Sequence, residues 1–315
     1  MNVTSSRALL AAALLALPPA MAGAFELDHS DGTLTLAAPP ARVVSFDLAV
    51  LDTLAALDIT GVAGVPRSTY EGPLARYRDT TVVGTLFEPD YTALNEIKPD
   101  LIFSGRRSMP AVPELQKLAP TVAFTPDLLA FMPSFREANL SLGRAFGKEA
   151  QAAAALAAID RNVEELHRIN KGRTAAMLFT VKGNVMAHAP GDRFGYAYEL
   201  AGMESVLPAK DPNAPVAPRP EPNSPEAKAA AEQRAKVLAQ VAAADPDWLI
   251  VLDRGAINGA ERTAADTLAK HPQLSQTRAF KENRVHYVDP NGWYLIGGGL
   301  NNLRAITENM LAAMK

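Results

Sequence analysis

One phrase occurs twice in this chain, and it limits the architectures open to it. Lys98-Pro-Asp stops a helical stretch, residues 88–97, and hands the chain to an apolar run, Leu101-Ile-Phe-Ser. Far down the sequence Asp245-Pro-Asp ends another helical stretch, residues 236–244, and the run 248–252 follows. Proline cannot continue a helix, and a short apolar run bounded by such a stop reads as a buried strand. Other segments fit the same alternation. Residues 42–46 form a short strand that passes into a helix over 47–57, and 62–65 and 81–84 are further strands. Pro89 sits where the first turn of the helix 88–97 tolerates it. Strands alternating with helices argue for parallel sheets, and recurrence of the unit argues for two similar lobes.

Between the two occurrences lies the most regular helix of the chain. Residues 148–170 contain no Gly or Pro and are rich in Ala, Glu and Leu. At 1.5 Å per residue they span roughly 35 Å, enough to cross from one lobe to another, although a surface helix of that length is also ordinary. Lys171-Gly172 ends it, and residues 174–181 open the second half as a strand. The expected division is a first α/β lobe over 25–147, a connecting helix over 148–171, and a second α/β lobe over 172–315. One region stands apart. Residues 207–225 carry seven of the 24 prolines, which makes them an extended, exposed loop rather than a core element. Pro225 then starts an Ala-rich helix.

The first residues read as a targeting segment. Arg7 is followed by an apolar run over 8–17, the break Pro18-Pro19, and Ala-Met-Ala (20–22) or Ala-Gly-Ala (22–24), which fit the small-residue cleavage rule, with cleavage expected before Phe25. The run falls short of the roughly 20 residues that span a bilayer. Residues 1–24 are therefore expected to be a cleaved signal peptide, and the mature protein periplasmic. Cysteine is absent, which excludes disulfides, Fe–S clusters, thiolate zinc sites and a lipid-anchored N-terminal cysteine. The formal charge of −3 suggests neither nucleic acid nor an anionic membrane as partner.

Catalytic signatures are missing. There is no Gly-x-Ser-x-Gly, His-Glu-x-x-His or phosphate-loop pattern. The five histidines, at 29, 167, 188, 271 and 286, are isolated. His167 reads as a solvated position on the long helix, and His188 and Asp192 flank a turn. Gly297-Gly-Gly suits a tight turn or a close backbone approach. The chain is expected not to be an enzyme and to carry no intrinsic cofactor.

Arginines occupy a more informative setting. Arg106 and Arg107 follow the strand 101–104 across Gly105, and Arg254 follows the strand 248–252 across Asp253. Arg193 lies in Gly191-Asp-Arg-Phe-Gly, a turn that starts a helix. Ligands of open α/β sheets collect at the carboxyl ends of the strands, so arginines there from both lobes would face one cleft. The alternative is solvated charge, or pairing with Asp253 or Asp192.

These phrases carry a resemblance. Arg42-Val-Val-Ser-Phe-Asp, Val83-Gly-Thr-Leu-Phe-Glu-Pro-Asp, Lys98-Pro-Asp-Leu-Ile-Phe-Ser-Gly-Arg, Leu118-Ala-Pro-Thr, Gly191-Asp-Arg-Phe-Gly, Asp245-Pro-Asp-Trp-Leu-Ile-Val-Leu-Asp-Arg and Val288-Asp-Pro-Asn-Gly-Trp-Tyr-Leu run in order along nearly all of the mature chain. In them it resembles the class III periplasmic substrate-binding proteins of ABC transporters, and within these the ferric-catecholate siderophore binders. The resemblance implies two Rossmann-like α/β lobes with mostly parallel sheets, a rigid helix between them, and a shallow ligand cleft. It implies a monomer that takes up a ferric siderophore and passes it to an inner-membrane ABC permease.

In that branch three arginines contact the catecholate oxygens, which maps onto Arg106, Arg193 and Arg254. Arg107 joins this set as the neighbour against which the Arg106 contact is to be judged. Trp293 and Tyr294 would add aromatic surface, and Tyr294 a phenolate to iron, although both also suit core aromatics. Two departures stand out. Relatives that accept tetradentate siderophores supply a histidine from a second-lobe loop, and the proline-rich loop here has none. Where acidic docking residues are expected stand Thr92 and Ala239, leaving Glu88, Glu96 and Glu232 as candidates for the permease contact. Two rival readings remain at this point, a haem or cobalamin carrier on the same fold and an exported metal-dependent hydrolase.

Overall fold

The computed structural model describes residues 24–214 and 220–315. The expected signal peptide therefore lies, but for Ala24, outside the described residues, as do residues 215–219 of the proline-rich stretch. The chain opens with a hairpin, β1 (Phe25–His29) and β2 (Gly32–Leu36), paired antiparallel as a small separate sheet. There follow β3 (Val43–Ser45), α1 (Leu48–Ala56), β4 (Val62–Val65), β5 (Thr81–Val82), α2 (Tyr91–Ile97), β6 (Leu101–Ser104), α3 (Val112–Leu115), β7 (Thr121–Ala123) and α4 (Phe131–Ala145). Their strands form a parallel five-stranded sheet in the order β5-β4-β3-β6-β7.

After α5 (Glu149–Ile169) the second half contributes β8 (Thr174–Val181), β9 (Asn184–His188), α6 (Tyr196–Ala201), β10 (Glu204–Ser205), α7 (Pro225–Ala244), β11 (Trp248–Asp253), α8 (Ala264–Ala269), α9 (Arg278–Lys281), β12 (Val285–Tyr287) and α10 (Leu300–Met314). Here β10-β8-β11-β12 run parallel, and β9 turns back antiparallel on β8. The fold is α/β with two lobes, each built on its own sheet.

The recurring phrase has the same physical job in both lobes. Lys98 and Asp245 cap α2 and α7 in the left-handed conformation, with φ of 53° and 46°, and the proline after each prevents the helix from resuming. The aspartate that follows then ties down the neighbouring strand. Asp100 accepts hydrogen bonds from the backbone amides of Ala41 and Arg42 at 3.0 and 2.8 Å, just before β3. Asp247 accepts from the amide of Thr174 at 3.0 Å, at the start of β8. Each unit thus sets the register of the strand pair that carries an arginine at its far end.

The helix expected over 88–97 begins later, at Tyr91. Asp90 takes the N-cap, its carboxylate accepting from the amides of Thr92 and Ala93 at 3.0 and 3.1 Å, so Pro89 lies outside the helix in a bridge to Gly84. The strand expected over 81–84 is correspondingly short, because Gly84, at φ 111°, is bent into that bridge.

The long helix α5 is continuous and buries Ala152, Leu156, Ile159 and Leu166. It packs on α4 from the first half and on α10 from the end of the chain. Helix α10 also packs on α1, so the last helix closes the seam between the lobes rather than the second lobe alone. Two polar contacts pin this seam. Buried Asp52 of α1 accepts from the amide of Asn302 at 3.0 Å, where Gly299 at φ 80° leaves no room for a side chain. Glu199 of α6 accepts from the amides of Phe131 and Met132 at 2.8 and 2.9 Å, capping α4, whose own N-cap residue Ala130 has no group to do so.

Both pins are open to test. Burial pushes the Asp52 carboxyl up to about 6, against the pull of the Asn302 and Asn301 hydrogen bonds. A native value raised above the unfolded one favours folding most at acid pH, below the usual carboxylate range, and that contribution is lost as pH rises through about 6. Asp52→Asn keeps an acceptor for the Asn302 amide and removes the titration. It should therefore raise the melting temperature relative to the parent more at about pH 8 than at about pH 4.5, and equal changes at both would contradict a titrating Asp52. Glu199→Ala, measured by denaturant unfolding, should cost about 1–2 kcal/mol through the lost cap, and Glu199→Gln less.

Candidate ligand-binding site

The carboxyl ends of the two sheets bring together the arginines singled out from the sequence. After β6 the chain makes a tight turn at Gly105, where a Cβ would lie 3.0 Å from the carbonyl oxygen of Phe46. The Ser108 hydroxyl accepts from the Gly105 amide at 3.0 Å and holds the turn closed. Arg106 is left exposed on the rim, while Arg107 is half-buried and reaches across the cleft. It donates to the carbonyl oxygens of Tyr294 at 2.6 Å and Leu295 at 3.3 Å. Those residues belong to a single π-helical turn, Asn291–Ile296, closed by Gly297 in the left-handed region.

Tyr294 is the hub of the site. Arg193, just before α6, donates to the same carbonyl oxygen at 2.8 Å. Arg254, just after β11, donates through Nε to the phenol oxygen at 3.3 Å. The guanidinium carbons of Arg107, Arg193 and Arg254 stand 5.4, 4.5 and 5.3 Å from the Tyr294 ring centroid, within cation–π range. Arg106 is near enough that its charge weighs on both Arg107 and Arg193.

No acid forms an ion pair with these charges, although Asp47 lies near enough to favour the Arg107 cation. Asp253 spends its carboxylate on the amides of Gly255, Thr263 and Ala264 at 2.9, 2.6 and 2.8 Å. Asp192 pairs with Lys210 at 2.8 Å and accepts from the Ala189 amide. Among the described residues none of the four arginines forms an ion pair. Burial, and after it the charge of Arg193, disfavours the cation of Arg107. Burial likewise disfavours that of Arg193, which the Tyr294 phenol partly relieves. Burial pushes the Tyr294 phenol up, but the hydrogen bond and charge of Arg254, together with Arg193, outweigh it and hold the group below the ordinary tyrosine value. The site is a cationic cluster without an ion pair, gathered around a phenol that its arginines hold below the ordinary tyrosine value.

The other sequence candidates fall into different places. Trp293 is 2% exposed and stacks on Tyr196 at 4.9 Å, so its ring belongs to the core and meets the cleft only as a wall. Arg107 is no passive neighbour of Arg106, since it holds the backbone of the Tyr294 turn. His167 is exposed on the long helix, as expected, with its Nε2 2.7 Å from the Glu199 carbonyl oxygen. His188 is wedged against Phe179 and Phe194, and burial pushes it down to about 4, so it stays neutral behind the site. Among the described residues no group of three or more His, Cys, Asp or Glu is placed to hold a metal ion.

Sequence reading missed one part of the site. A cavity of about 450 Å³ runs from Arg106, Arg107, Arg193 and Tyr294 back between α1 and α4. Asp47, at the end of β3, lines it; the residue reads from sequence only as the start of a helix, and it does cap α1 through the Ala49 amide. Burial pushes this carboxyl up to about 6.

Known proteins share this arrangement of the chain. The petrobactin-binding protein YclQ of Bacillus subtilis is 29% identical over 276 residues, which cover 86% of this chain and 81% of that protein. The crystal structure of YclQ matches with a TM-score of 0.77 at 25% identity, over 93% of this chain and 99% of that one. The ferric-anguibactin-binding protein FatB of Vibrio anguillarum is 25% identical over 90% of this chain and 86% of its own. The catecholate-siderophore binding protein VctP of Vibrio cholerae, at 23% identity, shares the fold with a TM-score of 0.76, over 92% of this chain and all of that one. The family described as periplasmic binding protein matches residues 43–291, most of the chain, and the chain belongs to that family of carriers, which bind a cargo rather than transform it.

Proposed function

We propose that this protein captures an anionic ferric siderophore of the catecholate type in the periplasm and delivers it to an inner-membrane ABC transporter. The observation that carries the reading is the arginine cluster: three guanidinium groups from both lobes gather around Tyr294, with Arg106 beside them on the rim, and none of the four forms an ion pair among the described residues. A ferric tris-catecholate is trianionic, and a guanidinium offers it a permanent charge with several donors in a fixed fork. An uncharged cargo such as cobalamin would leave those cations unanswered in the bound state. The names of YclQ, FatB and VctP, which give petrobactin, ferric anguibactin and a catecholate siderophore as what each binds, support the same class of cargo.

Within this reading Arg106, Arg193 and Arg254 face the cargo, and Arg107 acts mainly by fixing the turn that presents Tyr294. Iron enters as part of the ligand and not as a resident metal. Tyr294, its phenol favoured as an anion by Arg254, is placed to donate to iron when the siderophore leaves coordination positions open. Glu88 and Glu96 on the first lobe and Glu232 on α7 are exposed, and they are the carboxylates we assign to permease contact.

Binding followed by quenching of tryptophan fluorescence tests the cluster. Arg106→Ala and Arg254→Ala should each weaken a ferric tris-catecholate by about thirtyfold to several thousandfold, because a buried anionic ligand loses a hydrogen-bonded charge. Their melting temperatures should barely move, since both side chains are exposed. Lysine at either position should recover part of the loss. Near-native affinity in both alanine variants would remove the basis for an anionic cargo.

Tyr294→Phe separates the two roles of the tyrosine. It should weaken a ferric bis-catecholate, which leaves iron unsaturated, by at least about tenfold and erase its phenolate-to-iron absorption band, while a saturated tris-catecholate binds nearly as before. Equal losses for both complexes would show that the phenol does not reach iron.

A further inference from the structure

The cavity behind the arginines differs in chemistry from its rim. Its rear wall is one face of α4, with Phe131, Phe135, Ala138 and Leu142 at helical spacing, and the opposite wall includes Phe46, Val50 and Phe124. The polar groups at its floor are already satisfied. Thr53 Oγ1 donates to Asn139 Oδ1 at 2.6 Å, and Asn139 Nδ2 donates to the Phe135 carbonyl oxygen at 2.7 Å. One buried polar atom on the lining has no partner, the phenol oxygen of Tyr196, a residue that is 4% exposed and stacked between Phe131 and Trp293. Burial pushes that phenol up, so it stays a neutral donor. A volume of about 450 Å³ falls in the range of small-molecule sites, roughly 300–1,000 Å³.

The rim and the chamber cannot both serve the iron centre. Rim arginines favour a charged, hydrated complex, whereas the chamber behind them has mainly aromatic and aliphatic walls. Carboxylates border the space: Asp47 inside, and Asp28 and Glu137 along its lining. Asp28 is engaged by the Thr33 hydroxyl at 2.7 Å and by Arg144 at 3.5 Å. An anionic group would meet repulsion there, and an apolar one would meet the walls.

We infer that the chamber is a second subsite of the same cleft, which takes an uncharged apolar arm of the siderophore, aryl or short acyl, while the arginine rim holds the iron complex. The inference rests on the cargo reading above and deepens it from a charge class to a two-part ligand. It assigns α4 a share in selectivity, with Ala138 as the position where a larger side chain closes the space.

The test uses the mature protein and three probes, the ferric complexes of N-methyl-, N-benzyl- and N-(4-aminobutyl)-2,3-dihydroxybenzamide. The benzyl complex should bind at least about tenfold more tightly than the methyl complex, as expected for burying an aromatic ring. The aminobutyl complex should bind no more tightly than the methyl one. Ala138→Phe should bring the benzyl-to-methyl ratio close to one, and Phe135→Leu, which widens the chamber, should change that ratio in a variant that also folds. Equal affinity of the parent for methyl and benzyl complexes, or a ratio untouched by Ala138→Phe, would overturn the chamber. Preference for the aminobutyl complex would overturn it too, by showing that the border carboxylates select a cation. Failure of all three complexes to bind would instead count against the ferric-siderophore reading itself.

Discussion

The carbonyl oxygen of Tyr294 accepts hydrogen bonds from two guanidinium groups, one from each lobe. Much of the structure serves to make that meeting possible. Arg107 reaches it because Gly105 lets the chain turn tightly against Phe46 and Asp47. Arg193 reaches it because Gly191 and Gly195 pack against backbone and leave the turn no alternative path. The tyrosine itself sits in a π-helical turn, a strained geometry that recurs where proteins need a side chain held at an unusual angle. Two cations on one carbonyl fix the main chain, and the ring and phenol are then left to face the cleft.

That arrangement depends on the lobes being held at a set distance. A helix of 21 residues without a break runs behind both, and α10 returns from the end of the chain to pack on it and on α1. The Asp52 and Glu199 contacts cross the same seam. A hinge made of two flexible strands would let the arginines separate; a packed helical spine does not, and domain closure of the hinge type has no obvious pivot here. The pre-set cluster costs stability, because burial and mutual repulsion oppose the charged state of Arg107 and Arg193. Functional sites commonly carry such a cost.

The double Pro-Asp phrase made the two-lobe plan legible, and the structure explains why. Each phrase encodes a helix stop and a strand clamp in three residues, so local sequence alone specifies the unit. The strand-end arginines were legible for the same reason, since a residue that follows a strand by one or two positions must lie at its carboxyl end. The start of α2 was misplaced because two cues competed. Pro89 suits a first helical turn, but Asp90 can cap, and a side chain that satisfies two amides outweighs a favourable φ. The β1–β2 hairpin alternates buried and exposed residues in a readable way, yet it lies beside a segment of targeting character that draws the reading elsewhere. Contacts made by residues distant in the chain were not legible at all. Nothing local says that Arg107 meets residue 294, or that Glu199 caps a helix nearly seventy positions earlier.

The cavity belongs to this last class, and its origin shows how a site can be hidden in ordinary core residues. Phe131, Phe135 and Leu142 follow the spacing of any helix that packs inward, and from sequence they are indistinguishable from core. What makes them a wall is a mismatch between neighbours. Glu199 draws the start of α4 toward α6, while the Thr53–Asn139 hydrogen bond ties its middle to α1, so the helix bridges a gap it does not fill. The stack of Phe131, Tyr196 and Trp293 then closes the back and leaves the Tyr196 hydroxyl without a partner. A buried donor left unmade is costly, by about 1–3 kcal/mol in typical cases. The Glu199 tie that helps fix the lobes for the arginine cluster thus also holds open the space beside it, which couples the rigidity of the fold to the shape of what it can carry.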